Sequence, residues 1–145
     1  MLIQPKQTKY TKYQRKLLKK KNYKNYTLEW RANKLKFGDY GLQALEKGLL
    51  TSTQIYAIQQ IIKRKLQKEG FFWTRVFPAT PFTEKPLESR MGKGKGNISS
   101  WGVLVHPGQI LFEVTGVSSS VAKMVLTQGA GKLPIKSQIF SQKFR

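Results

Sequence analysis

The stretch TSTQIYAIQQIIKRKLQKEGFFWTRVF, residues 51–77, holds two hydrophobic periodicities back to back. Ile55, Ile58, Ile62 and Leu66 recur at the spacing of a helix face, with Ala57 and Ile61 beside them. Thr51 precedes the stripe and Gln54 lies three residues on, which is the pattern of a capping box. Lys63, Arg64, Lys65 and Lys68 load the last turns, where cations complement the helix dipole, and Gly70 supplies a stop. The isoleucine stripe is core material, and the basic end suits a partner's backbone or a solvated face. From Phe71 to Phe77 the pattern turns aromatic and β-branched and reads as a strand.

Downstream, Pro78, Pro81 and Pro86 end that strand and stiffen a loop. Glu84 and Glu88 flank Pro86 and share no helical face, so they read as loop salt-bridge partners rather than an acid–base pair. The loop carries Arg90-Met91-Gly92-Lys93-Gly94-Lys95-Gly96-Asn97. Glycine admits positive φ and close backbone approach, successive N–H groups can form an anion-binding concavity, and each lysine adds charge. Read locally, this is either a cationic finger that offers backbone donors and ammonium groups to phosphate, or a solvated hairpin tip. It is not an ATPase-type phosphate loop, because Gly94-Lys95 is followed by Gly96 instead of Ser or Thr. It is not a dinucleotide fingerprint, because Asn97-Ile98-Ser99-Ser100-Trp101 runs on toward strand-like sequence and not into a helix.

Trp101–Val105 and Ile110–Val114 flank the turn His106-Pro107-Gly108-Gln109, which predicts a β-hairpin. His106 is the only histidine; with no cysteine and the sole aspartate, Asp39, far away in sequence, it lacks companions for a metal site or for catalysis. Ser118, Ser119 or Ser120 caps a second helix that carries Val121, Ala122, Met124, Val125 and Leu126, with Gly129 and Gly131 loosening its end. Lys132-Leu133-Pro134-Ile135-Lys136 then leads to a last strand, Ile135 to Phe140, and a basic tail.

Upstream, Phe37-Gly38-Asp39-Tyr40-Gly41-Leu42 opens the globular part, with Leu42, Leu45, Leu49 and Leu50 in a short strand or irregular connection. Residues 1–36 form a basic arm and residues 37–145 a single domain with an extended loop at 78–100. In the arm, Lys6, Lys9, Lys12, Arg15, Lys16, Lys19, Lys20, Lys21, Lys24, Arg31, Lys34 and Lys36 face one acid, Glu29, with Tyr10, Tyr13, Tyr23, Tyr26 and Trp30 interleaved. Cations neutralise phosphates and aromatic rings stack on unpaired bases. Such an arm is expected to be disordered alone and to order on its partner.

The whole chain of 145 residues has 27 Lys+Arg against 7 Asp+Glu, a net charge of +20. Self-repulsion at that charge calls for a polyanionic partner: RNA, DNA or an anionic membrane surface. Absent cysteine removes disulfides and thiolate metal sites. No apolar run approaches the roughly 20 residues of a membrane span, and the start Met1–Lys6 lacks the apolar core of a secretory signal. No catalytic residue, cofactor, metal, small-molecule substrate or membrane insertion is therefore expected.

The chain resembles the large-subunit ribosomal protein sixteen family of the bacterial type, homologous to the archaeal and eukaryotic protein ten-e. The likeness begins at Gln4-Pro5-Lys6 and Thr8-Lys9-Tyr10 and resumes at Phe37–Leu42 and at Leu50–Ile55. It is strongest at Trp73–Pro78, Thr83–Leu87 and Arg90–Asn97, and ends at Lys132–Lys136. The resemblance implies an α+β domain of the α/β hammerhead type, two-layered, with two main helices on a mostly antiparallel sheet and a basic extended arm. It implies seating in large-subunit ribosomal RNA near the peptidyl-transferase centre, among neighbouring ribosomal proteins, with the loop Arg90, Met91, Gly92, Lys93, Gly94, Lys95, Gly96 and Asn97 reaching toward A- and P-site tRNA. Charge and resemblance together make Lys6, Lys9, Tyr10, Lys12, Arg15, Lys16, Lys63, Arg64, Arg75, Lys85, Lys132 and Lys136 the candidate rRNA contacts. A non-ribosomal nucleic-acid or membrane-surface protein would account for the charge but not for the flanked glycine–lysine finger.

Two stretches depart from the family pattern. Residues 18–36 are richer in lysine, tyrosine and asparagine than the family's glycine- and arginine-rich segment, and Ile58-Gln59-Gln60-Ile61-Ile62 stands where the family usually has arginines. Ile61 and Ile62 are thus candidates for cover by a neighbouring protein. The bias toward lysine, tyrosine, asparagine and isoleucine is that of AT-rich genomes, the start resembles the mature family start with no presequence, and Glu84-Lys85 and Lys93 fit the proteobacterial pattern better than the chloroplast one. The expectation is an organelle-encoded protein of a mitochondrial ribosome, with bacterial cytoplasm or plastid as the alternative.

Overall fold

The computed structural model describes residues 4–12, 32–67 and 69–141. Most of the basic arm, including Arg15, Lys16 and its expected disorder, lies outside the described residues, as does Lys68. The described chain is an α+β arrangement. Strands β1 (Tyr40–Ala44) and β2 (Gly48–Thr51) precede helix α1 (Ser52–Leu66). Strands β3 (Phe71–Thr74), β4 (Thr80–Glu84), β5 (Asn97–Val105) and β6 (Ile110–Thr115) follow, then helix α2 (Ser119–Ala130) and strand β7 (Ser137–Ser141).

Helix α1 forms as its sequence dictates. Thr51 Oγ1 accepts from the Gln54 backbone N–H at 3.3 Å and Gln54 Oε1 accepts from the Thr51 N–H at 2.9 Å, closing the capping box. Ile55, Ile58, Ile62 and Leu66 are buried. Ile62 is fully buried in the protein's own core, so it is not available to a neighbour; Ile61 is half-buried. The stop is not Gly70. Gln67 takes the left-handed conformation, φ 47°, directly after Leu66, while Gly70 at φ 78° turns the chain into β3.

Helix α2 packs against α1 and against β1 and β7. Gly129 sits where the helices meet: a Cβ there would lie 3.3 Å from Ile58 Cγ2 and 3.5 Å from the Ile62 side chain. The glycine expected only to loosen the helix end is thus a point of close helix–helix approach.

The strands form two antiparallel sheets, not one. The first has the order β3-β6-β1-β7 and the second β2-β5-β4. Their separation corrects the expected hairpin: β5 pairs with β2 and β4, and β6 pairs with β1 and β3. The 106–109 turn is real, with Gly108 at φ 85° and the Gln109 N–H donating to the His106 carbonyl at 3.2 Å. It is a corner at which the chain leaves one sheet for the other. A second correction concerns residues 78–100, read as a loop, which contain β4. Pro81 is tolerated in β4 because that strand is an edge, bonded on one side only.

Residues 32–38, divided by the sequence reading between arm and domain, run across the outer face of the first sheet. Leu35 is buried, and the Ile110 N–H donates to the Ala32 carbonyl at 2.9 Å. The anchor is Glu113, fully buried in β6. Its Oε2 accepts the backbone N–H of Phe37 at 2.7 Å, of Gly38 at 2.9 Å and of Lys36 at 3.2 Å, and its Oε1 pairs with the Arg75 guanidinium.

Candidate nucleic-acid interface

The glycine–lysine finger is the tip of a two-stranded ribbon. Strand β5 pairs with β2 over Gly102–Val105 and with β4 over Asn97–Gly102, so its first half has β4 as its one ladder neighbour. A register shift between Phe82 and Thr83 breaks the β4–β5 ladder, and such a bulge increases twist. Gly96 lets the strands close at the tip: a Cβ there would lie 2.2 Å from the Glu84 carbonyl oxygen.

Beyond Gly96 the backbone geometry changes character. Gly92 (φ 90°), Lys93 (φ 53°) and Gly94 (φ 91°) lie consecutively at positive φ. A Cβ at Gly92 or Gly94 would meet nothing within 4 Å, so these glycines are required by conformation and not by crowding. Lys93 holds a conformation that side chains seldom adopt, a strain that clusters at functional sites.

Two lysines from outside this turn attach to its carbonyls. Lys85 Nζ donates to the Gly92 carbonyl, and Lys12 Nζ donates to the Lys95 carbonyl at 3.3 Å. Arg90, Lys93 and Lys95 are exposed, and Leu87 and Met91 stand out fully into solvent. The turn encloses an open cleft of about 430 Å³ lined by Lys85, Ser89, Arg90, Lys93, Lys95 and Asn97 among others. This concavity is rich in cations and backbone amides and contains no carboxylate in its lining. Phosphate is the chemistry it suits.

The other candidate residues are dispersed. Lys6, Lys9, Tyr10 and Lys12 are exposed, with Lys9 Nζ 5.6 Å from the Tyr10 ring centroid, and Lys12 brings this segment onto the finger. Lys63 and Arg64 are exposed on the last turn of α1. Lys132 is exposed, and Lys136 pairs with Glu46 at 3.3 Å on the surface. Arg75 stands apart: its guanidinium serves Glu113 and lies 5.5 Å from the Phe37 ring centroid, which makes it an internal clamp. Glu113 itself escaped the sequence reading. The signal for it is a lone acid inside the otherwise apolar run Ile110-Leu111-Phe112-Glu113-Val114.

Among the described residues no group of three His, Cys, Asp or Glu side chains is placed to hold a metal ion, and no helix is long and apolar enough to cross a membrane. His106 sits in the inter-sheet corner, its backbone N–H donating to Gln109 Oε1 at 3.1 Å.

The chain is a small α+β domain that extends a cationic, amide-rich ribbon tip. Comparison with known proteins narrows the class. Residues 5–140 match the family described as Ribosomal protein L16p/L10e. The chain is 40% identical over 136 residues to the large ribosomal subunit protein uL16 of Francisella tularensis subsp. holarctica, covering 94% of each chain. It has the same identity and coverage with the uL16 of Francisella tularensis subsp. novicida. The chain belongs to the L16p/L10e family of ribosomal proteins.

Proposed function

We propose that this protein is a structural constituent of the large ribosomal subunit, that it binds large-subunit rRNA near the peptidyl-transferase centre, and that its finger supports tRNA in the A and P sites. The observation that carries the reading is the turn 92–94: three consecutive residues at positive φ, flanked by exposed cations and tied by Lys12 and Lys85 to the rest of the chain. A preformed turn presents its backbone amides at a lower ordering cost on contact, leaving the lysine side chains to be ordered. It holds no acid–base pair, so its contribution is positioning and electrostatic support, and the chemistry is left to RNA. Lys6, Lys9, Tyr10, Lys12, Arg15, Lys16, Lys63, Arg64, Lys85, Lys132 and Lys136 supply rRNA contacts in this reading. Residues 1–36 serve as the RNA-binding arm, while Arg75 acts inside the domain.

The test is to replace Lys93 and Lys95 together by alanine in reconstituted large subunits. Sedimentation with the particle is expected to persist, while tRNA affinity falls and its dependence on salt flattens, each lost phosphate contact reducing the slope by roughly 0.7–0.9. Unchanged tRNA affinity and salt slope would remove the finger from the tRNA site. For compartment, the lysine-, tyrosine-, asparagine- and isoleucine-rich composition favours a mitochondrial ribosome, whereas the relatives named above are bacterial. Sequencing the rRNA that co-sediments with the protein decides between them.

A further inference from the structure

We propose that Phe71, Trp73 and Phe37 form a stacking platform for an unpaired RNA base, a site separate from the finger; the inference rests on the rRNA-binding reading. Strand β3 alternates. Phe72 points into the core and stacks on Phe112, ring centroids 5.8 Å apart, so Phe71 and Trp73 face the opposite way. Trp73 is the middle ring. Phe37, carried in by the segment that crosses the sheet, stacks on it at 5.9 Å and 24°, and Phe71 lies at 6.0 Å and 31°. Phe71 is the more open outer ring, at 68% exposure; Phe37, at 52%, also carries the Arg75 guanidinium 5.5 Å from its centroid.

These exposed rings contribute little burial to the fold, yet the backbone that carries Phe37 is tied to a buried carboxylate. Phe37 follows Lys36 and precedes Gly38, and the backbone N–H groups of all three are held by Glu113. Among the described residues strand β3 is an edge strand whose one ladder partner is β6. The composition of the ring strip points to an occupant. An apolar protein surface could be met by aliphatic side chains, but this strip is made of flat rings. Lys36 Nζ lies 5.5 Å from the Phe37 ring centroid, and Lys34 and Lys36 are exposed. A ligand that is flat and apolar at its centre and anionic at its margin complements both features. In a chain of net charge +20, an RNA base with its flanking phosphates has that form. The base must be unpaired, since duplex stacking covers base faces.

The test uses the full chain with Phe71→Ala and Phe71→Leu, folding checked by far-UV circular dichroism. Leucine keeps apolar bulk and loses the ring face. Both variants are expected to bind large-subunit rRNA on the order of ten-fold more weakly than the parent, at an unchanged salt slope. In a Trp30→Phe/Trp101→Phe background, a single-stranded oligoadenylate is expected to quench Trp73 fluorescence and an RNA duplex to leave it bright. Parental rRNA affinity in both Phe71 variants overturns the platform while leaving the rRNA reading intact. Cross-linking of position 71 to a neighbouring protein in assembled particles also overturns it, in favour of protein docking. Failure of the parent chain to bind rRNA overturns the reading beneath.

Discussion

Removing the Glu113 carboxylate should loosen the whole outer layer of the domain. In Glu113→Ala, the N–H groups of Lys36, Phe37 and Gly38 lose their acceptor, and the Arg75 guanidinium, with a side chain only 17% exposed, loses its counter-ion. Deleting one partner of a buried ion pair costs about 3–5 kcal/mol, because the other charge stays buried and unpaired. Water can reach part of the Lys36–Phe37 backbone once it lifts, which holds the loss within that range. Domains of this kind have about 5–15 kcal/mol in total, so the substitution removes a large share. Glu113→Gln keeps the shape and an acceptor oxygen but loses the charge. Charge-assisted hydrogen bonds are about twice as strong as neutral ones, so its loss should be about half as large. Urea unfolding followed by far-UV circular dichroism measures both, and amide exchange at 36–38 reports whether the segment detaches. If both variants lie within about 0.5 kcal/mol of the parent, the usual range for an inconsequential surface change, the anchoring role is wrong.

Thr51→Ala opens the capping box and should cost about 1 kcal/mol in urea denaturation, with the fold retained. Gly96→Val sets a side chain against the Glu84 carbonyl, so amide exchange in residues 80–84 and 97–101 should accelerate while circular dichroism from the helices is unchanged. Gly129→Leu wedges α1 from α2 at Ile58 and Ile62; overpacking of this kind costs about 1–3 kcal/mol, read from the unfolding midpoint. Deleting residues 1–20 should weaken rRNA binding and reduce its salt slope, measured by filter binding across ionic strengths; an unaltered slope would show that the arm does not meet phosphate.

What could be read in advance divides along the distance over which each feature is determined. The capping box and isoleucine stripe of α1 depend on neighbours three and four residues away, and both form as written. Ladder partners do not obey that rule. His106–Gln109 carries a turn signal that is correct in itself, but a turn does not reveal whether the strands beside it bond to each other or part company. Pro81 looks like a terminator until β4 is seen to be an edge, where its missing N–H is not needed. Gln67 carries no local signal as a helix stop, because side chains rarely take positive φ and Gly70 lies just beyond it. The finger was legible as a cluster of glycine and charge. Its attachment through Lys12 was not, since 83 residues separate the two partners and they belong to the arm and the domain. Nor was the Arg75–Glu113 clamp, which gives a stabilising role to a cation that charge counting had assigned to RNA.

Strand β5 is a cantilever. Its rear half is gripped by β2 and ends at the corner that enters β6, while its front half overhangs with β4 as its one ladder partner among the described residues and Lys12 and Lys85 as ties at the tip. The Phe82–Thr83 irregularity interrupts the β4–β5 ladder between the tip and the gripped root. Overhang and anchorage thus belong to opposite ends of one continuous strand.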